Sequence, residues 1–98
     1  MNKEFIPYEQ ILELKEIGFN GILWQEAFRW FREKHGLMGV VDCFFYNFSY
    51  TYNINDIADE IIISRSDPDN DFDTYEEAEL ACLKKLIEII ERKPEAYS

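Results

Sequence analysis

The sequence predicts an α+β domain in which helices pack on one face of a three-stranded antiparallel sheet, in the order α-α-β-β-β-α. Three observations predict it. Apolar residues recur at helical spacing up to Gly36, follow the two-residue period of a strand from Leu37, and return to helical spacing from Thr74. Because 98 residues are too few to bury two independent cores, we expect one domain over residues 1–98.

The first helix is predicted to begin at Pro7, because proline suits the first helical position, where its missing N–H would have no intrahelical partner. Gly18 is expected to end it in the left-handed conformation, followed by the hydrophobic Phe19. The apolar residues between them fall at three-residue spacing, with one more beside them: Ile11, Leu14, Ile17 and Leu12.

The second helix is predicted from Trp24 to His35, with Gly36 as its end. Trp30 lies off the apolar stripe, so we expect it to be partly exposed or packed at a margin. The buried stripe is expected to be Trp24, Ala27, Phe28 and Phe31.

The sheet is predicted from an alternation of aromatic and polar residues, which gives the sheet one aromatic face and one polar face exposed to solvent. The stretch is too long for one strand, so we expect a hairpin with its turn near Asn47, and a third strand over Glu60–Arg65. We expect the aromatic row to be core rather than a surface that stacks bases. The alternating apolar residues are Phe44, Tyr46, Phe48, Tyr50, Tyr52 and Ile54.

The last helix is predicted to begin with a capping box, in which the Thr74 hydroxyl accepts from the Glu77 N–H while the Glu77 carboxylate reaches back. Its spacing predicts a broad buried face that docks on the rest of the domain. That face is expected to be Ala78, Cys82, Leu86 and Ile89, flanked by Leu83, Ile87 and Ile90.

The charge is −10 and unevenly placed, with ten acids against Arg65 alone between Asp56 and Glu79. An acidic surface repels phosphate backbones, so we expect no direct binding to nucleic acid. We also expect a cytoplasmic protein with no membrane partner, because neither a signal peptide nor an apolar run of membrane-spanning length is visible. Cys43 and Cys82 are then expected to be buried thiols rather than a disulfide. The bases gather at Arg29, Arg32 and Lys34, and at Lys84, Lys85, Arg92 and Lys93.

No group of residues in the sequence indicates catalysis. His35 is the single histidine, and no base–nucleophile pair can be assigned to it, so its place at a helix end is better explained by the helix dipole. One histidine and two distant cysteines do not make a closed zinc site. We therefore predict no enzyme, no cofactor, and no catalytic, cofactor-binding or metal-binding residue.

The segment Asp67–Asp73 alternates carboxylates in the manner of a calcium-binding EF-hand loop. Phe72 stands where such a loop needs glycine for its sharp turn, and Ala78 stands where it needs a bidentate glutamate. We therefore expect a solvated turn before the last helix, with charges that favour the N-terminus of that helix.

Three sequence blocks together resemble a group of short uncharacterised proteins of bacteriophages, prophages and Bacteroides-type genomes. The resemblance implies a small helix–sheet domain and a mobile-element context, but it implies no activity and no site residues. Relatives often carry a longer insertion between Phe19 and Trp24, which this chain lacks. The blocks are Tyr8-Glu9-Gln10 with Leu14-Lys15-Glu16-Ile17-Gly18-Phe19, Trp24 to Lys34, and Thr74 to Ile90.

Taken together, the sequence favours a non-enzymatic module that binds a protein partner or itself, through the open sheet face or a sheet edge. An alternative from a different functional class is an acidic mimic of nucleic acid that occupies a host DNA-binding protein. Its support is the ten-acid stretch and the mobile-element resemblance.

Overall fold

A computed structural model describes residues 5–44, 49–58, 60–65 and 72–92. The predicted element order and α+β class are confirmed, with three antiparallel strands in the order β1-β2-β3. The elements are α1 (Tyr8–Glu16), α2 (Trp24–His35), β1 (Leu37–Phe44), β2 (Ser49–Asp56), β3 (Ile61–Arg65) and α3 (Tyr75–Arg92).

Pro7 caps the start of α1 rather than occupying its first helical position, so that prediction was wrong by one residue. Its ψ of 147° lies outside the helical region. The Pro7 carbonyl still accepts the first bonds of the helix, from the N–H groups of Gln10 at 3.0 Å and Ile11 at 3.1 Å. The proline thus directs the chain into the helix from just outside it.

The end of α1 at Gly18 is confirmed, with a φ of 110° that favours glycine. The Phe19 N–H donates to the Leu14 carbonyl at 2.9 Å, and the Gly18 N–H donates to the Lys15 carbonyl at 3.2 Å. This pair of bonds is a Schellman motif, which satisfies two carbonyls at the helix end. It also turns the Phe19 side chain into the core, where it is buried.

The β1–β2 hairpin pairs Phe44 with Ser49 and Gly39 with Ile54. Directly opposite residues of an antiparallel pair share a face, so Phe44 is out of phase with Tyr50. The prediction of one aromatic face running from Phe44 through Tyr50 was therefore wrong, because Tyr50 pairs with Cys43 and not with a residue in phase with Phe44. The expected turn at Asn47 and the other aromatic residues of that connection lie outside the described residues.

Strand β3 begins at Ile61, one residue later than predicted. Glu60 has a φ of 56° and belongs to the preceding turn. A bulge interrupts the β2–β3 register, because Ile63 falls between the pairs Ile54–Ser64 and Asn55–Ile62. Because of the extra residue, the alternation of side chains between the two sheet faces shifts by one residue along β3 relative to β2, within a strand of five residues.

Helices α2 and α3 pack against the sheet, and α1 packs against α3. Ile89 was expected to be buried but is half-buried, because α3 turns Leu83 and Ile87 fully into the core instead. Phe28 was also expected to be buried but is half-buried, because it lines an open groove beside α2. Trp30 is half-buried at the margin, as predicted, with its ring centre 5.6 Å from that of Phe19. Predicted core residues that are buried are Leu14, Trp24, Ala27, Phe31, Ala78, Cys82 and Leu86.

At Gly39, both helices approach the sheet closely. A methyl group at this position would lie 2.9 Å from Sγ of Cys82, 3.1 Å from the Phe28 ring and 3.2 Å from Cδ1 of Leu86. These distances are shorter than ordinary carbon contacts. The bare glycine therefore allows α2 and α3 to reach β1 together.

Gly39→Ala should lower the free energy of unfolding by about 1–3 kcal/mol, as overpacking of a core does. Combining it with Cys82→Ala removes the nearest atom, so the double variant should lose less than the sum of the two single losses. Denaturant unfolding of the four proteins measures this coupling. Strictly additive losses would contradict the close approach.

Leu86→Ala should cost roughly 2–5 kcal/mol, because it empties a fully buried site. Thr74→Ala should cost about 1 kcal/mol through loss of the cap, in which the Glu77 N–H donates to the Thr74 hydroxyl at 3.1 Å. The same hydroxyl donates to Oε1 of Glu77 at 3.0 Å. Thermal unfolding compares the two variants, and a milder effect of Leu86→Ala would contradict the assigned buried face.

Candidate interaction surface

A groove of about 420 Å³ opens where α2, β1 and the start of α3 meet, and it is open to solvent. Its floor is apolar, made by Phe28, Val41 and the exposed backbone of Gly39. We call it the α2–α3 groove. The residues that line it are Gln25, Phe28, Arg29 and Arg32 from α2, Gly39 and Val41 from β1, and Tyr75 and Glu79 from α3.

One wall of the α2–α3 groove is basic. Arg29 and Arg32 stand three residues apart on α2, a spacing that places both side chains on the same side of the helix. Nε of Arg29 donates to Oε2 of Glu33 at 3.1 Å, but both side chains are largely exposed, so this pair contributes little to stability. Arg32 is exposed, and it makes no ion pair or hydrogen bond with any described residue.

The other wall carries Tyr75 and Glu79, one helical turn apart at the start of α3. Burial raises the pKa of the Glu79 carboxyl, and the nearby Glu76 acts in the same direction. Burial also raises the pKa of Tyr75, with Glu79 as the next cause. The Tyr75 ring meets that of Tyr50 edge to face, with centres 6.1 Å apart. The groove thus holds two cations, one carboxylate and a fixed aromatic ring.

Cys82 lies beneath Gly39 and is fully buried. Burial, with a further contribution from Glu79, raises the pKa of its thiol to about 12. Both Cys82 and the half-buried Cys43 are free thiols, as predicted, although Cys43 is less buried than expected. Since the thiolate is the reactive form, Cys82 is inert at neutral pH.

His35 is the last residue of α2 and is half-buried. Its ring meets Trp30 edge to face at 4.7 Å between centres, and Phe31 at 6.1 Å. The ring is therefore packed as well as placed at the helix C-terminus. Among the described residues, no group of three or more histidine, cysteine or acidic side chains could hold a metal ion.

The calcium-like segment lies mostly outside the described residues, so its proposed solvation stays a prediction. Phe72, within it, pairs with Tyr50 of β2 through two backbone hydrogen bonds of 2.8 and 2.9 Å. The Phe72 ring also packs against Tyr52, with centres 6.3 Å apart. In the described ranges, no helix has both the length and the apolar composition that crossing a bilayer requires.

The open sheet face is largely polar. Nδ2 of Asn53 donates to Oδ2 of Asp42 at 2.9 Å, which ties β2 to β1 on this face. Met38 is 36% exposed at one end of it. On β3, Ile62 is 50% and Ile63 is 40% exposed. Ile62 pairs with Asn55, which pairs with Met38, so Ile62 and Met38 lie on the same sheet face.

The sequence signal for the basic wall was present, since Arg29 and Arg32 belong to the cluster of bases identified on the second helix. The groove itself was missed. Val41 and Tyr75 come from elements separated by long stretches of chain, and only the docking of α3 on β1 brings them to Arg32. No pattern within one element could have paired them.

No family model matches the chain, and no match is found among curated proteins or solved structures. The resemblance to short phage and Bacteroides-type proteins therefore stays a prediction.

Above pH 9 the protein should lose stability, because the Cys82 thiol ionises in the unfolded chain from about 9.0 but in the folded chain only near 12. In this window the unfolded state binds fewer protons, so the free energy of unfolding should fall by up to about 1.4 kcal/mol per pH unit. Denaturant unfolding between pH 8 and 10 measures this slope, to which Tyr52 and Tyr75 contribute near their ordinary pKa of 10.0, because burial raises their pKa as well.

Cys82→Ala should abolish most of this slope, and Cys43→Ala is the matched control that should keep it. A slope that survives in Cys82→Ala would show that other groups cause the alkaline loss.

Proposed function

We propose that this domain is a non-enzymatic protein-interaction module whose α2–α3 groove takes an extended acidic segment of a partner protein. The observation that carries the proposal is the meeting of Arg29 and Arg32 with an apolar, aromatic floor on a chain of net charge −10. It is a local basic site on an acidic molecule.

The groove has the composition of a binding hot spot. Tyrosine and arginine are enriched at such positions, because each combines a large apolar surface with directed hydrogen bonds. Tyr75 and Phe28 offer aromatic surface to an incoming side chain. An opening to solvent along the groove suits a polypeptide segment better than an enclosed small molecule.

Arginine favours a carboxylate partner, because its planar guanidinium can donate two parallel hydrogen bonds to the two carboxylate oxygens. Arg32 has no such partner among the described residues. Glu79 on the opposite wall opposes an acidic ligand, which favours the Arg32 side of the groove for the acidic group. The expected ligand places an acidic side chain at Arg32 and an apolar one on Phe28 and Val41.

The net charge has a second consequence for such a partner. At long range the charge of −10 repels an acidic protein, whereas at contact the two arginines attract it. Added salt screens both interactions. We therefore expect binding to depend weakly on salt, with most of the affinity coming from apolar contact in the groove.

A cytoplasmic setting and a mobile-element origin are further parts of the proposal. Two free thiols, Cys43 and Cys82, support a reducing compartment. The only support for a mobile-element origin is the resemblance of the three sequence blocks.

The rival function is the acidic mimic of nucleic acid, supported by the ten acids from Asp56 to Glu79. Such a protein would bind a basic partner, and its binding would weaken steeply with salt, as protein–DNA binding does. The two functions therefore differ in the charge of the ligand and in the salt dependence.

Selection from a library of random peptides tests the proposal without presuming the ligand. We expect selected peptides to combine acidic and apolar residues, and their affinity to fall roughly tenfold or more in Arg32→Glu, because an attraction becomes a repulsion at the groove. Lys34→Glu is the matched control, with the same charge change on the same helix but outside the groove. It should bind almost as tightly as the unaltered protein.

The mimic would be established instead if the library yielded basic peptides. Their binding should then be lost on joint replacement of Asp67, Asp69 and Asp71 by asparagine, and it should be insensitive to Arg32→Glu. Equal losses in Arg32→Glu and Lys34→Glu would also overturn the groove, since they would indicate a nonspecific effect of charge.

A further inference from the structure

The wall of the α2–α3 groove that faces the arginines carries a carboxylate without a cation. Glu79 lines the groove and is half-buried, and it makes no ion pair with any described residue. Burial and the nearby Glu76 both raise the pKa of its carboxyl, so these surroundings disfavour its charge. A carboxylate that is partly removed from water and unpaired has a free-energy cost that a cationic ligand would offset.

Tyr75 stands one helical turn before Glu79 and adds an aromatic surface to the same wall. Its side chain is 45% exposed, and its ring is packed edge to face against that of Tyr50. Glu79 also raises the pKa of Tyr75, as expected for side chains four residues apart on one helix. An aromatic ring beside a carboxylate suits a lysine or arginine side chain, because the ring attracts the cation and packs on its apolar stem.

We propose that the segment bound in the α2–α3 groove carries both charges, with a lysine or arginine held by Glu79 and Tyr75 and an acidic side chain held by Arg32. This inference rests on the proposed function and deepens it, because it makes Glu79 a second determinant of which segment binds. Its basis is the opposition of charges across one groove, with Arg29 and Arg32 on α2 and Glu79 on α3.

The charge of the whole molecule favours such a ligand over a purely acidic one. At long range the net charge of −10 repels an acidic segment, and a basic residue in the ligand reduces that repulsion. At contact, a purely acidic segment brings a carboxylate against Glu79, and a purely basic one brings a cation against the arginines. Each uniform ligand meets a like charge at one wall, so the groove discriminates against both.

Peptide selection against variants of Glu79 tests the inference. From a library of random peptides, we expect the unaltered protein to select segments with a lysine or arginine in addition to acidic and apolar residues. Glu79→Lys should select segments that lack this basic residue or carry an acidic one in its place. Glu91→Lys is the matched control, with the same charge change at an exposed position of the same helix outside the groove. It should select the same peptides as the unaltered protein.

A double-mutant cycle gives a second measurement with a milder change. Either Glu79→Gln in the protein or glutamine in place of the basic residue of a selected peptide should weaken binding about three- to tenfold. The two changes together should weaken binding no more than one alone, because they remove the same interaction. Isothermal titration calorimetry measures the four affinities, and thermal unfolding confirms that each variant is folded.

The outcomes separate this inference from the proposed function. Selected peptides with an acidic residue that is sensitive to Arg32→Glu, but with no enrichment in basic residues, overturn the inference and leave the proposed function standing. Losses in the cycle that simply add do the same, since they show that the basic residue does not contact Glu79. Peptide binding that is insensitive to Arg32→Glu overturns both.

Discussion

The structure depends on one close approach, between the backbone of Gly39 and the two helices that pack on β1. A methyl group added to Gly39 would lie closer than an ordinary carbon contact to Phe28 of α2 and to Cys82 and Leu86 of α3. A larger residue there would lift at least one helix from the sheet. Because both helices are held at one point of one strand, the distance between them is fixed, and with it the width of the groove that they form.

The same burial determines the electrostatics of that groove. The dense packing around Gly39 removes water from Cys82, and the pKa of the thiol rises to about 12. Glu79, one turn earlier on α3, is partly desolvated, and its pKa rises for the same physical reason. The thiol keeps its proton at neutral pH and is therefore a poor nucleophile. The groove offers its shape and the two arginines of its opposite wall.

Periodicity predicted α2 to the residue, and the glycine at 18 predicted the end of α1, because these signals are contained within one element. The phase of the hairpin could not be predicted in the same way. It depends on the residues that connect the strands, and Phe44 opposite Ser49 follows from that connection rather than from alternation. The rotation of α3 that buries Ile87 and leaves Ile89 half-buried is likewise set by what it packs against. The groove is a product of this docking, and so could not be predicted from its separate parts.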